Sequence, residues 1–279
     1  MSGTLVGLGS ALLAAVLFGV GAVLQAQAVR TESQPIDSLA EFVRAAVSNR
    51  LIVLVVVTYL AGFVLHAVSI WYLPLYLAQA AVALSLPVTA LSAAWVRERL
   101  TTADWAAVVA IVAGLVLVSL GAGAPGPGRS SPLFAAALWA GVLALAAAGF
   151  FGVVSRGGAL GTVAGLGYAG SAVAVRGVDV PLDVPVVAAA LAVPAYGLLA
   201  FWLYSLALNR AAVASASAPL VVGQTLVPAL VGLWALGDSV RDGWAAGVTL
   251  GMVAAITGAV LLSRKTADPA TSSDAALAR

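Results

Sequence analysis

The sequence predicts an all-α polytopic membrane protein. About nine transmembrane helices form two inverted repeats, four plus five, with the N-terminus outside and the C-terminus inside. Three observations predict this. Of 279 residues, 62% are hydrophobic and only 9% charged, with a mean hydropathy of +1.09, whereas soluble domains carry roughly 25% charge. The apolar residues fall into runs near the roughly 20 residues that cross a bilayer. The basic residues between these runs fall mainly on alternate breaks. So few charges cannot cover a soluble surface, which excludes a soluble enzyme, a nucleic-acid binder and a disordered chain. The absence of cysteine excludes disulfides, thiolate catalysis and Cys-ligated metals, and a single histidine, His66, excludes a multi-histidine metal site within one chain.

Taken in order, span one covers about 4–29. Ala26-Gln27-Ala28 resembles a signal-peptide cleavage site, but no Lys or Arg precedes the apolar run and the run is long for a signal, so an uncleaved span is expected. From Asp37 to Arg50, Leu39, Phe42, Val43, Ala46 and Val47 recur at helical spacing, and Ser38 and Glu41 have capping-box spacing. This reads as a short amphipathic helix on the cytoplasmic surface, or as an ordinary solvated loop helix. Spans two, three and four cover 51–73, 75–96 and 104–122. A Pro-Gly-rich break from Gly121 to Ser131 follows. Spans five to nine cover 132–154, 159–176, 185–208, 211–236 and 243–263, span six being short and glycine-rich. Residues 1–122 are thus the first repeat, 123–264 the second and 265–279 a disordered cytoplasmic tail.

Orientation follows from the basic residues. With the N-terminus outside, the cytoplasmic side holds Arg30, Arg44, Arg50, Arg97, Arg99, Arg156, Arg210, Arg264, Lys265 and Arg279. The outside holds Arg129, Arg176 and Arg241. An odd number of spans keeps this alternation.

The repeat is legible in ordered anchors. Tyr72 and Pro87 are fifteen positions apart, as are Tyr204 and Pro219. Arg97-Glu98-Arg99 and Asp104-Trp105 then match Gly237-Asp238 and Asp242-Gly243-Trp244. Spans two to four correspond to spans seven to nine, and span one to span six, with span five as a connector. Corresponding helices lie an odd number of spans apart, so the copies face opposite ways, as in many secondary transporters.

On Tyr204-Ser-Leu-Ala-Leu-Asn-Arg-Ala, Pro219, Pro228, Leu236-Gly-Asp238, Trp244, Gly247, Gly251 and Gly258, with Leu86-Pro87, Glu98-Arg-Leu and Gly114 in the first copy, the chain resembles the EamA-like group of the drug/metabolite transporter superfamily. That resemblance implies transport of a small metabolite or drug by alternating access, without a cofactor. Most members have five plus five spans, whereas this chain reads as four plus five, and Asp238 stands where Glu is commoner. The opening Gly7-x-Gly9-Ser10, Phe18-Gly19 and Leu24-Gln25, with nine spans, is similar to the NIPA-like magnesium-transporter branch, which implies divalent-cation transport instead.

No Asp, Glu, Lys or Arg lies mid-span. This speaks against carboxylate-driven proton coupling and against a charged Mg²⁺ cage. His66 is the one mid-span imidazole. It shares a helix face with Tyr59, Gly62 and Ser69, and, titrating near about 6.5, is a candidate for a coupling proton. A packing histidine hydrogen-bonded between helices is the plainer alternative. Gln79, Ser85, Pro87 and Thr89 in span three, and Ser217, Pro219, Gln224 and Pro228 in span eight, are candidate substrate-binding residues. Gln25, Tyr168 and Tyr204 join them from spans one, six and seven. The prolines carry most weight, because interrupted helices at matching positions mark transporter sites. Trp71-Tyr72 and Trp202 with Tyr204 read as interface anchors or, alternatively, cavity lining. Glu98 and Asp238 read as solvated caps or as gate pairs of Arg97, Arg99 or Arg241.

The sequence therefore predicts a multi-pass protein of the cell membrane, taken from its Arg and Ala bias as bacterial plasma membrane. Its partners are the lipid bilayer and a small-molecule or ion substrate, not nucleic acid; a homodimer or a membrane-complex partner also stays open. No arrangement at bilayer depth suits an enzyme. A non-transporting membrane subunit is the third functional reading.

Overall fold

The computed structural model describes residues 2–31, 49–73, 75–92, 100–121, 123, 126, 131–151 and 157–264. Among these lie ten helices: α1 (Ser2–Thr31), α2 (Arg50–Tyr72), α3 (Leu75–Ala83), α4 (Ser85–Ser92), α5 (Thr102–Leu120), α6 (Pro132–Phe150), α7 (Gly157–Val175), α8 (Val184–Arg210), α9 (Val213–Ala235) and α10 (Ala245–Arg264). The amphipathic segment predicted from Asp37 lies outside the described residues, except for its end. Asn49 caps α2 by accepting from the Leu51 and Ile52 N–H groups, and Arg50 opens that helix. Thr101 and Asp104 form a reciprocal capping box on α5, and Ser131 and Asp183 cap α6 and α8.

Among the described residues, seven helices are long and apolar enough to cross a membrane: α1, α2, α5, α6, α7, α8 and α9. With no water in a bilayer to satisfy open backbone, such helices are what a multi-pass membrane protein requires. The predicted third span is two short helices. α3 ends at Ala83, the Leu84 N–H donates to the Ala81 carbonyl, and α4 restarts at Ser85. Pro87 falls in the first turn of α4, where a helix needs no N–H from it. Its counterpart α9 runs unbroken through Pro219 and Pro228, so only one of the two expected interruptions occurs. The apolar part of α10 is shorter, Ala245–Gly258.

α1 packs on α2 and α4, α7 packs on α8 and α9, and α5 packs on α10. The first two groups join where α9 meets α3 and α4 and where α1 meets α8. Glycines set the closest approaches. A Cβ on Gly19 of α1 would strike Val88 of α4, and one on Gly165 of α7 would strike Leu220 of α9. Val88 follows Pro87 and Leu220 follows Pro219. The α5–α10 contact is reciprocal. A Cβ on Gly114 would strike the Gly251 carbonyl oxygen and Ala255, and one on Gly251 would strike the Gly114 carbonyl oxygen and Val118. Gly258 likewise abuts Ile111 and Ala107, while Gly121 abuts Val248 and Trp244. Every α10 member of this set lies 137 positions after its α5 counterpart, as 251 lies after 114.

Candidate functional site

Polar and aromatic side chains from six helices meet where α1 and α2 face α8 and α9. On α2, Gly62, His66 and Ser69 are buried on one face, as their spacing predicts. The Ser69 hydroxyl donates to the His66 carbonyl oxygen at 2.7 Å and lies 3.2 Å from His66 Nδ1. Gln79 of α3 is the other side-chain partner of His66. Phe18 of α1 stands edge-on to the imidazole, with centroids 6.3 Å apart, and packs 5.8 Å from Tyr59. Gly62 admits the Phe18 ring, since a Cβ there would sit 2.7 Å from its edge. Tyr59 in turn packs 5.2 Å from Phe201 of α8.

From that ring the cluster continues through hydrogen bonds. Gln25 Nε2 donates to Ser205 Oγ at 2.7 Å and to the Phe201 carbonyl oxygen at 3.3 Å. The Tyr204 hydroxyl is hydrogen-bonded to Ser217 of α9, and Tyr168 of α7 and Tyr204 lie near Tyr59. Gln25, His66, Gln79, Tyr168, Tyr204 and Ser217 therefore meet as one group. Buried polar atoms are normally all satisfied, yet Gln25 Oε1, Gln79 Nε2 and the Tyr168 hydroxyl have no partner in it.

The other predicted residues sit apart. Ser85 and Thr89 serve the α1–α4 contact: the Ser85 carbonyl oxygen lies where a Gly19 Cβ would go, and Thr89 donates to the Gly19 carbonyl oxygen at 3.4 Å. Pro87 is half-buried in the first turn of α4. Pro219 packs against Gly161 of α7. Gln224 is half-buried and Pro228 buried on α9, and among the described contacts neither reaches the cluster. Trp71 and Tyr72 are exposed at 67% and 54%, as interface anchors would be, but Trp202 and Tyr204 are each 2% exposed. Anchoring fails for the second pair because α8 turns this part of its length against α1, α7 and α9. Sequence reasoning missed Phe18, Phe201 and Ser205. Aromatic residues have no contrast on an apolar helix, and only Tyr59, sharing the His66 face, carried a signal.

Asp238 also departs from expectation. It is not a solvated cap, and its described ion pair is not with Arg241; Arg97, Glu98 and Arg99 lie outside the described residues. The Asp238 carboxylate is wholly buried and pairs with Arg176, Nη2 to Oδ1 at 3.1 Å. The Gly126 N–H donates to the same Oδ1 at 2.6 Å, and Arg176 Nη2 donates to the Gly126 carbonyl oxygen at 2.7 Å. The physical reason is the turn after α9. Gly237, at φ 78°, bends the chain so that the Asp238 N–H returns to the Gly232 carbonyl oxygen at 2.8 Å. Gly232 has no side chain, and the carboxylate occupies the space that one would fill.

An apolar hollow of about 180 Å³ lies between α1, α3 and α5 against Leu12, Leu77, Leu84 and Val112. It is not lined by the polar cluster. Among the described residues no three His, Asp or Glu side chains come together to hold a metal. The chain matches no known family, no curated protein and no solved structure.

Proposed function

We propose that this chain is a secondary transporter, similar to the EamA-like drug/metabolite transporters, that moves a small uncharged organic solute across a bacterial plasma membrane by alternating access. The observation that carries the reading is the polar-aromatic cluster at the junction of the two halves, in which one atom of each of two buried amides and a phenol hydroxyl are left unsatisfied. Leaving such groups unpaired in a stable core costs about 1–3 kcal/mol each, a cost that a bound solute would relieve. Two inverted repeats, α1–α5 and α7–α10 with α6 as connector, are supported by the matching packing of α1 on α2 and α4 and of α7 on α8 and α9. The reciprocal α5–α10 contact supports them too, since helices related by a two-fold axis must exchange like for like.

The walls argue for an uncharged solute. Spans one to three and six to eight contain no Asp, Glu, Lys or Arg mid-span. Desolvating an ion costs several kcal/mol, more than the roughly 2 kcal/mol that a cation gains over aromatic rings. His66, held by Ser69 and Gln79, is the proposed carrier of a coupling proton.

Uptake into proteoliposomes, with and without a pH gradient, tests this. The probes are adenine and nicotinamide, which are planar and neutral, against tetraphenylphosphonium, benzoate and Mg²⁺. Saturable uptake of a neutral probe is expected, faster with the gradient. Uptake of Mg²⁺ alone would replace this reading with cation transport. No uptake of any probe beyond that of empty vesicles would overturn transport.

A further inference from the structure

We propose that Arg176, Gly126 and Asp238 form the latch of a gate that closes one face of the central cluster. The proposal rests on the transporter reading. The latch ties three parts of the chain: the end of α7, the connection between α5 and α6, and the turn after α9. The same connection is stitched to the turn by Gly123 N–H to Ser239 O at 3.0 Å and Arg241 N–H to Gly121 O at 2.9 Å.

Beside it lies a separate apolar plug. Ile70, Leu73, Leu75 and Ala78, from α2, its cap and α3, pack with Ala172 and Val175 of α7 and Leu236 after α9. Val175 adjoins Arg176, and Leu236 is two residues from Asp238. On the other side, Ala78 adjoins Gln79 and Ile70 lies one turn from His66. The plug thus stands between the cluster and the latch, made by the first half of the chain meeting the second. A solute reaching the cluster from this face must part those halves.

The latch is built to be broken. Asp238 Oδ2 and Arg176 Nε have no partner, although a buried pair retained for stability gains from having every atom satisfied. Well-packed apolar residues often serve stability as well as a buried ion pair does, so the best-attested use of such pairs is as switches. Glycines line the contact. Gly126 abuts the Leu236 carbonyl oxygen with no room for a Cβ, Gly232 leaves space for the carboxylate, and Gly237 supplies a flexible turn.

The chain has no cysteine, so one introduced thiol reports alone. Thr225 is fully buried on α9, between Ser217 of the cluster and the latch. With Thr225→Cys in proteoliposomes, labelling by a membrane-impermeant maleimide is measured from each side. Asp238→Ala should raise the rate from the latch face about tenfold or more, the response of a two-state equilibrium to losing a contact made in one state only. Because that variant leaves Arg176 unpaired and is at risk of misfolding, Arg176→Met/Asp238→Leu provides the second arm. It removes both charges together, and its labelling should also rise from that face alone while concentrative uptake falls and downhill exchange persists. Unchanged labelling in the folded double variant, or equal gains from both faces, would overturn the latch. If the labelling responds but no probe solute is taken up by the unmodified chain, the latch stands as a moving contact and the transporter reading fails.

Discussion

At the scale of single residues, the cluster joins groups whose replacement separates packing from chemistry. Tyr204→Phe keeps the ring and removes the hydroxyl's bond to Ser217. Hydrogen bonds between membrane helices are worth about 0.6 kcal/mol on average and up to about 1.7, so thermal unfolding in detergent should show a loss of that size. His66→Gln retains a buried amide able to meet Ser69 and Gln79 but carries no proton. Stimulation of uptake by a pH gradient should disappear while exchange without a gradient persists; an unchanged pH response would return His66 to a packing role. Polar residues with periodic spacing were legible in the sequence, and six of the twelve named converge. The Asp238–Arg176 pair was not legible, because charges at helix ends look solvated and nothing local shows a turn folding the carboxylate back beneath Gly232.

Among the elements, length and hydropathy made most helices readable, and Pro and Gly made their ends readable. The interruption expected in span three occurs, at Leu84, but the matching one expected in span eight does not, although Pro87 and Pro219 occupy matching positions. Local chemistry was the same and tertiary context decided. The glycine contacts give a sharper test. Gly114→Ala and Gly251→Ala each push a methyl into the partner's backbone, and overpacking of this kind costs about 1–3 kcal/mol. Because each meets the other's carbonyl oxygen, the two losses should be alike, and the double variant should cost less than their sum, the first methyl having already separated α5 from α10. Gly9→Ala faces open space and should be neutral, or stabilising by up to about 1 kcal/mol through helix propensity. Unfolding midpoints of the four variants decide it; a large loss at Gly114 with none at Gly251 would break the two-fold relation.

For the whole molecule, the distribution of charge carries a prediction about orientation. Counted from the sequence, ten basic residues fall on the side taken as cytoplasmic and three, Arg129, Arg176 and Arg241, on the other. The structure explains one of those three: Arg176 is held in a buried ion pair with Asp238 rather than offered to the membrane surface. The contacts also tie together breaks that the alternation assigns to one side, since Gly121 and Gly126, Arg176, and Asp238 to Arg241 touch one another. Those breaks should therefore lie together outside. Val180, 80% exposed between α7 and α8, and Asn209, exposed near the end of α8, sit at opposite ends of that helix. On this cysteine-free chain, Val180→Cys should react with an impermeant maleimide in intact cells, and Asn209→Cys only after permeabilisation. The reverse pattern would invert the orientation and place the latch on the cytoplasmic face. Reaction of both sites in intact cells would show that α8 does not cross the membrane, and the alternation of spans would fall with it.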